Sequence, residues 1–150
     1  MHLRERITLA MKDALRAKDS ARLSTIRMIA AAFKDREIAA RTTDAEISEA
    51  DLLALMGKMV KQRIESARVY TEGARPELAA KELAEVVVIE EFLPRALSAE
   101  EVTAAIAAAI AEAGATSLKD MGKVMAVLKA RYTGQMDFGA AGTLVKARLG

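Results

Sequence analysis

The sequence predicts an all-α protein, with an N-terminal four-helix domain over residues 1–93 and a small three-helix C-terminal domain over residues 96–150. Three observations carry this. Alanine supplies 32 of the 150 residues, against two Pro, two Tyr, three Phe and no Trp. Such a core must be built from small aliphatic side chains with high helix propensity. Apolar residues recur at spacings of three and four along most of the chain, the period of a helix face. Finally, Leu93-Pro94-Arg95 interrupts the pattern once, because proline removes a backbone donor and pushes the preceding residue out of helical geometry.

Each helix has its own signals. Leu3, Ile7, Ala10, Met11, Ala14 and Leu15 form one face of a first helix, about Leu3 to Ala17. Lys18-Asp19-Ser20 breaks it, and Asp19 or Ser20 can cap a second helix over 21–41, with Leu23, Ile26, Ala30, Phe33 and Ile38 inward. Thr42-Thr43-Asp44 ends it. Ser48-x-x-Asp51 is a capping box opening the third helix. Leu52, Leu55, Met56, Met59, Val60, Ile64, Ala67 and Tyr70 give its inner stripe, and Gly73 its stop. Pro76 suits the first turn of a fourth helix, with Leu78, Leu83, Val86, Ile89 and Leu93 inward. Val86-Val87-Val88-Ile89 is β-rich, but helix-forming acidic neighbours and the lack of a partner strand argue for helix.

Beyond Pro94, Ser98-x-x-Glu101 is a second capping box, opening a helix with Val102, Ile106 and Ile110 that closes at Gly114. Ser117-x-x-Asp120 opens the sixth, with Leu118, Met121, Val124, Met125 and Leu128. Gly134 marks a turn. Asp137 caps the last, with Phe138, Ala141, Leu144, Val145 and Leu149 inward.

Composition excludes several kinds of chemistry. There is no Cys, and the lone His2 sits at the chain end, so thiolate sites, His-based metal sites and a Ser-His-Asp triad have no material. No apolar run reaches the roughly 18–20 residues of a membrane span. The charged start, Met1-His2-Leu3-Arg4-Glu5-Arg6, lacks an apolar signal core, so a cytoplasmic location is expected, without a membrane partner.

The net charge of +2 hides a segregation. Residues 1–43 carry ten Lys/Arg and five Asp/Glu, residues 44–112 seven and fourteen, and residues 113–150 six and two. The basic ends face an anion or the acidic middle. The set Lys119, Lys123, Lys129, Arg131, Lys146 and Arg148 is the best functional candidate, with Lys119 and Lys123 four residues apart at a helix start. Tyr132 is the one aromatic nearby, which disfavours base stacking of a single strand. Contact with the phosphates of a folded RNA, tRNA among them, is the expected use.

Other motifs have structural readings. Gly122-Lys123 lacks the earlier glycine and the following Ser/Thr of a phosphate loop, so Gly122 is read as a close helix–helix approach. Asp137-Phe138-Gly139 lacks every companion of the kinase tripeptide and is read as a cap with a core Phe. Glu82, Glu85, Glu90 and Glu91 do not share one face, and no histidine accompanies them, so a solvated or ion-paired surface is preferred to acid–base chemistry. Arg63 lies in the inner stripe of the third helix and needs a carboxylate, with Glu82 or Glu85 the natural partner.

The order and spacing of several short pieces resemble the GatB/YqeY family in its stand-alone YqeY-like form. These are Lys61-Gln62-Arg63, Tyr70, Gly73-Ala74-Arg75, Glu82-x-x-Glu85, Ile89-Glu90-Glu91-Phe92-Leu93-Pro94, Asp120-Met121-Gly122-Lys123-Val124-Met125, and Gly134 with Asp137 and Val145-Lys146-x-x-Leu149. The resemblance implies a helical N-terminal domain and a three-helix tail. In the B subunit of the tRNA-dependent amidotransferase, the related tail helps hold tRNA behind a large catalytic domain. That enzyme converts misacylated Glu-tRNA(Gln) or Asp-tRNA(Asn) to the amide with ATP and glutamine nitrogen. At 150 residues this chain has no room for the catalytic part. A label of carbon–nitrogen ligase with glutamine as amido donor would be inherited by resemblance. The expectation is therefore a non-catalytic, tRNA-related binding module without a cofactor, working in a larger protein complex. The rival is a protein-interaction scaffold that does not bind RNA.

Overall fold

In the computed structural model, which describes residues 2–150, α1 spans Leu3–Arg16, α2 Ser20–Arg41, α3 Glu49–Glu72 and α4 Pro76–Glu90. Then come α5 at Ala99–Ala113, a 3₁₀ turn at Leu118–Asp120, α6 at Met121–Tyr132 and α7 at Phe138–Leu149. Among the described residues there is no strand, and Val86–Ile89 lies within α4. No single helix is long and apolar enough to cross a membrane. The chain divides into two compact units, one ending at Leu93 and the other beginning at Pro94.

The caps explain most of the helix boundaries. Asp19 accepts a hydrogen bond from the Arg22 amide at 3.1 Å, so Asp19 rather than Ser20 starts α2. Ser48 and Asp51 exchange both bonds of a capping box, at 3.1 and 2.9 Å. Ser98 and Glu101 do the same, both at 3.2 Å. Each pair satisfies two amides that the first helical turn leaves without partners.

In the first unit, Leu3, Ile7, Ile26, Ile29, Phe33, Leu52, Met56, Met59, Ile89 and Phe92 form the core. Its last turn is clasped from two helices. Arg6 of α1 donates to the carbonyls of Glu91 and Phe92 at 3.1 and 3.4 Å. Its guanidinium lies 5.6 Å from the centre of the Phe92 ring, within cation–π range. Arg22 of α2 pairs with the Glu91 carboxylate. These contacts cover carbonyls that the end of α4 cannot satisfy internally.

In the second unit, Ala105, Ile106, Ala109, Val124, Leu128, Ala141 and Val145 are buried together. The Leu97 amide donates to the Gln135 carbonyl at 2.8 Å, and the Gln135 side chain donates to the Arg95 carbonyl at 3.0 Å. The segment that enters this unit is thereby fastened to the turn between α6 and α7.

Several expected positions differ. Leu15, Ile38, Ile64, Leu83 and Leu144 are exposed rather than inward. Leu15 follows buried Ala14 by one residue, and Leu144 precedes buried Val145 by one, about 100° around the helix. The sixth helix opens through a 3₁₀ turn, where Ser117 makes no side-chain cap bond. Asp120 instead accepts from the Thr116 amide at 3.1 Å. Leu118 is exposed on that turn. Gly73 has an ordinary φ of −84°, and the left-handed position falls one residue later, on Ala74 at φ 58°. Gly114 does take the left-handed stop, at φ 64°. Gly122 is no close approach, because a Cβ there would meet nothing within 4 Å. Gly142 is the buried glycine of this unit, and a Cβ there would stand in ordinary contact, 3.5 and 3.9 Å from the Met121 and Met125 methyls.

Candidate nucleic-acid interface

All six cations singled out in the sequence are exposed. Lys119 sits in the 3₁₀ turn and Lys123 in the first turn of α6. Lys129 and Arg131 occupy the last turn of α6, and Lys146 and Arg148 the last turn of α7. At 100° per residue, Lys123 and Lys129 flank the buried Val124–Leu128 face on opposite sides, each about 120° from its centre. Arg131 projects on the side of that face and pairs with Glu112 of α5 at 2.5 Å. Both side chains of this pair remain about half exposed, so of the six cations Arg131 is the one already partnered within the unit. The sequence did not reveal this pair, which joins two helices 19 positions apart.

Helix electrostatics separate the remaining five. A cation in a last turn stabilises the helix by about 0.3–1 kcal/mol. Lys129, Lys146 and Arg148 therefore have a sufficient structural reason to be where they are. Lys119 and Lys123 have the opposite placement, beside the positive end of α6. That end has no acidic residue in its first turn and no side-chain cap bond, but Asp120 occupies its N-cap position. The two lysines stand as exposed cations beside that carboxylate and, unlike the other three, gain nothing from the helix dipole.

The acidic groups of the same unit are mostly engaged internally. Glu101 forms a two-pronged pair with Arg95 at 2.9 and 2.8 Å. That guanidinium, followed by the Ser98 amide and hydroxyl, holds its carboxyl down to about 2. Glu112 pairs with Arg131, Asp120 accepts from the Thr116 amide, and Asp137 accepts from the Gly139 amide at 2.9 Å. Among the described residues, Lys119, Lys123, Lys129, Lys146 and Arg148 make no ion pair. The exposed side chains of this unit without an ion pair are mainly cationic, with Glu100 the exposed carboxylate among them.

The acidic positions of the fourth helix do not assemble a reactive centre. Arg63 Nε lies 3.0 Å from Glu85, and both side chains are only 15% exposed. Arg63 also donates to the Met59 carbonyl at 3.2 Å and faces the Met28 sulfur at 3.7 Å. The partner is Glu85; Glu82 makes no ion pair among the described residues. Glu91 is held by Arg22, and Glu90 is exposed. Among the described residues, no three His, Cys, Asp or Glu side chains are grouped to hold a metal ion. Pro94 is exposed at the junction of the two units.

Comparison with known proteins adds the following. The profile described as "Yqey-like protein" matches residues 4–149. Three yeast proteins named "Altered inheritance of mitochondria protein 41, mitochondrial" are similar over the better part of the chain. The Clavispora lusitaniae protein is 36% identical over 84 residues, 55% of this chain and 46% of its own length. The Vanderwaltozyma polyspora protein is 34% identical over 83 residues, 55% of this chain and 44% of its own. The Kluyveromyces lactis protein is 33% identical over 99 residues, 64% of this chain and 52% of its own. The chain spans about half the length of these relatives. With a profile match running nearly end to end, the chain belongs to the YqeY-like family.

Proposed function

We propose that this protein is a non-catalytic binding module whose C-terminal unit contacts the phosphates of a folded RNA of the tRNA class. Its role would parallel that of the amidotransferase B-subunit tail it resembles, in association with a glutamine-dependent amidotransferase system. The observation that carries the reading is the Lys119/Lys123 pair, two exposed cations without an ion pair at the start of α6. Lys129, Lys146 and Arg148 would extend the contact. Residues 1–93 and 96–150 are read as separable domains on either side of Pro94.

The test is to purify the intact protein without nuclease, crosslink in cells, and identify what is attached. With two Tyr and no Trp, the protein absorbs weakly, so bound nucleic acid raises the 260 nm signal conspicuously. Recovery of tRNA in stoichiometric amounts supports the proposal, and protein partners alone with no RNA contradict it.

One observation favours the scaffold reading. Leu83 and Val87 are 48% and 62% exposed on α4, four residues apart on one face. An amphipathic partner helix could lie there. Under that reading, Val87→Asp abolishes partner capture and Lys123→Ala leaves it intact.

A further inference from the structure

One flank of α2 carries a row of exposed cationic side chains. Its inner face is defined by Leu23, Ile26, Ile29, Phe33 and Ala40, all buried. Along one flank of that face, about 75–115° from its centre, Arg27, Lys34 and Arg41 follow one another at intervals of seven residues, and all three are exposed. Ser20 and Ser24 precede them on the same stripe, with Ala31 and Ile38 filling the steps between, and these four are exposed as well. Seven residues rise about 10.5 Å along a helix, so the three cations form a straight row about 21 Å long.

The chemistry of the row is one-sided. Among the described residues none of the three cations makes an ion pair. No carboxylate stands between the three cations along the row itself. Of the nearby acids, Glu37 is taken by Arg4 at 2.7 Å. Asp35 is exposed and borders the row on the Ser24 side, about 100° around the helix from Lys34 and about 80° from Arg27. Asp19 caps the start of α2. Asp44 lies beyond the last turn, in the open depression of about 330 Å³ that Arg41 also lines. A second depression, of about 400 Å³, has a mixed lining of Ser20, Ser24 and Arg27 with Leu23, Met28 and Ala31. Arg and Lys are among the side chains that reach phosphate oxygens. No aromatic ring stands on the stripe to stack an unpaired base. A single large apolar residue, Ile38, is far short of the apolar face an interfacial membrane helix buries.

We propose that this exposed flank of α2 is a second, independent docking surface for the sugar–phosphate backbone of a double-helical nucleic acid, carried by Arg27, Lys34 and Arg41. A rigid row of cations on one helix matches the rigid edge of a duplex. It reads charge and shape, because phosphates carry no sequence information. This surface lies in the N-terminal unit and stands without the lysines of the C-terminal unit.

The test measures anisotropy of a labelled 20-base-pair RNA duplex with the full-length chain, as a function of salt. With three duplex phosphates neutralised, the slope of log affinity on log salt contains roughly −2.7 from this row. Arg27→Gln/Lys34→Gln/Arg41→Gln should reduce the slope by that amount and weaken binding at least tenfold at low salt, with an unchanged thermal midpoint. Each single Gln variant should remove about 0.9, which keeps the test decisive if the triple variant folds poorly. Arg27→Lys/Arg41→Lys should keep the slope. The losses should persist in a Lys119→Ala/Lys123→Ala background, which separates this surface from the C-terminal one. An unaltered slope in the triple variant overturns the proposal even where the C-terminal variant abolishes binding. So does a loss confined to phosphatidylserine vesicles with duplex binding intact, or a wild-type chain that does not bind the duplex at low salt.

Discussion

Replacing Glu85 by Leu tests the packing of α3 against α4 most sharply. The perturbation leaves Arg63 charged and 15% exposed, with the Met59 carbonyl at 3.2 Å as its remaining oxygen partner. Breaking one side of a fully buried pair destabilises by about 3–5 kcal/mol, whereas an exposed pair contributes about 0–1. At this exposure the loss should be roughly 2–3 kcal/mol. For a unit of this size each kcal/mol moves the thermal midpoint by about 4–8 °C. The expected drop is therefore about 10–20 °C, read by circular dichroism at 222 nm on the intact chain. Glu82→Gln should change stability by no more than about 0.5 kcal/mol. Arg63→Leu/Glu85→Leu removes both charges together and should recover at least about 1.5 kcal/mol relative to Glu85→Leu alone. A Glu85→Leu chain as stable as wild type would refute the reasoning. So would a double variant whose loss equals the sum of the singles.

The other predictions concern the second unit and its border. Gly114→Ala should destabilise by about 1 kcal/mol, because its φ of 64° strains any Cβ; Gly122→Ala should be neutral or stabilising by up to about 0.5 kcal/mol, because the site is open and helical. Urea titration compares the two. Glu101 is held down to about 2, chiefly by Arg95. A carboxyl lowered in the folded state contributes stability that is complete above its ordinary value near 4.5 and lost as pH falls toward 2. Arg95→Gln should flatten the stability profile in that window, and an unchanged profile would disprove the pair's part in it. Limited proteolysis should nick first within residues 94–98; early cuts inside 52–67 would contradict a domain border at Pro94.

Local signals were legible where a short stretch closes on itself. The capping boxes at Ser48 and Ser98, the proline at the start of α4 and the left-handed stop at Gly114 each involve residues within a few positions. Three kinds of feature were not legible. Burial depends on which flank of a helix meets a neighbour, so Leu15 and Leu144, one position off the inner stripe, read as core and are exposed. Glycine packing depends on the facing helix. Gly122 and Gly142 look alike in sequence, yet only Gly142 meets the Met121 and Met125 methyls. Charge compensation is tertiary as well: Arg131 stood among the basic residues, but Glu112 on another helix takes it. The choice between Glu82 and Glu85 for Arg63 was likewise settled by the register of α3 on α4.

The central claim is that Lys119 and Lys123 bind RNA phosphates, and it is tested most directly by the salt dependence of tRNA affinity in the wild type and in Lys119→Ala/Lys123→Ala. Each phosphate contact contributes roughly −0.7 to −0.9 to the slope of log affinity on log salt, depending on strandedness. Losing two contacts should lower the magnitude of the slope by about 1.4–1.8 and weaken all tRNA sequences alike, with the fold intact. A folded double variant that binds tRNA with the wild-type slope and affinity would contradict the account.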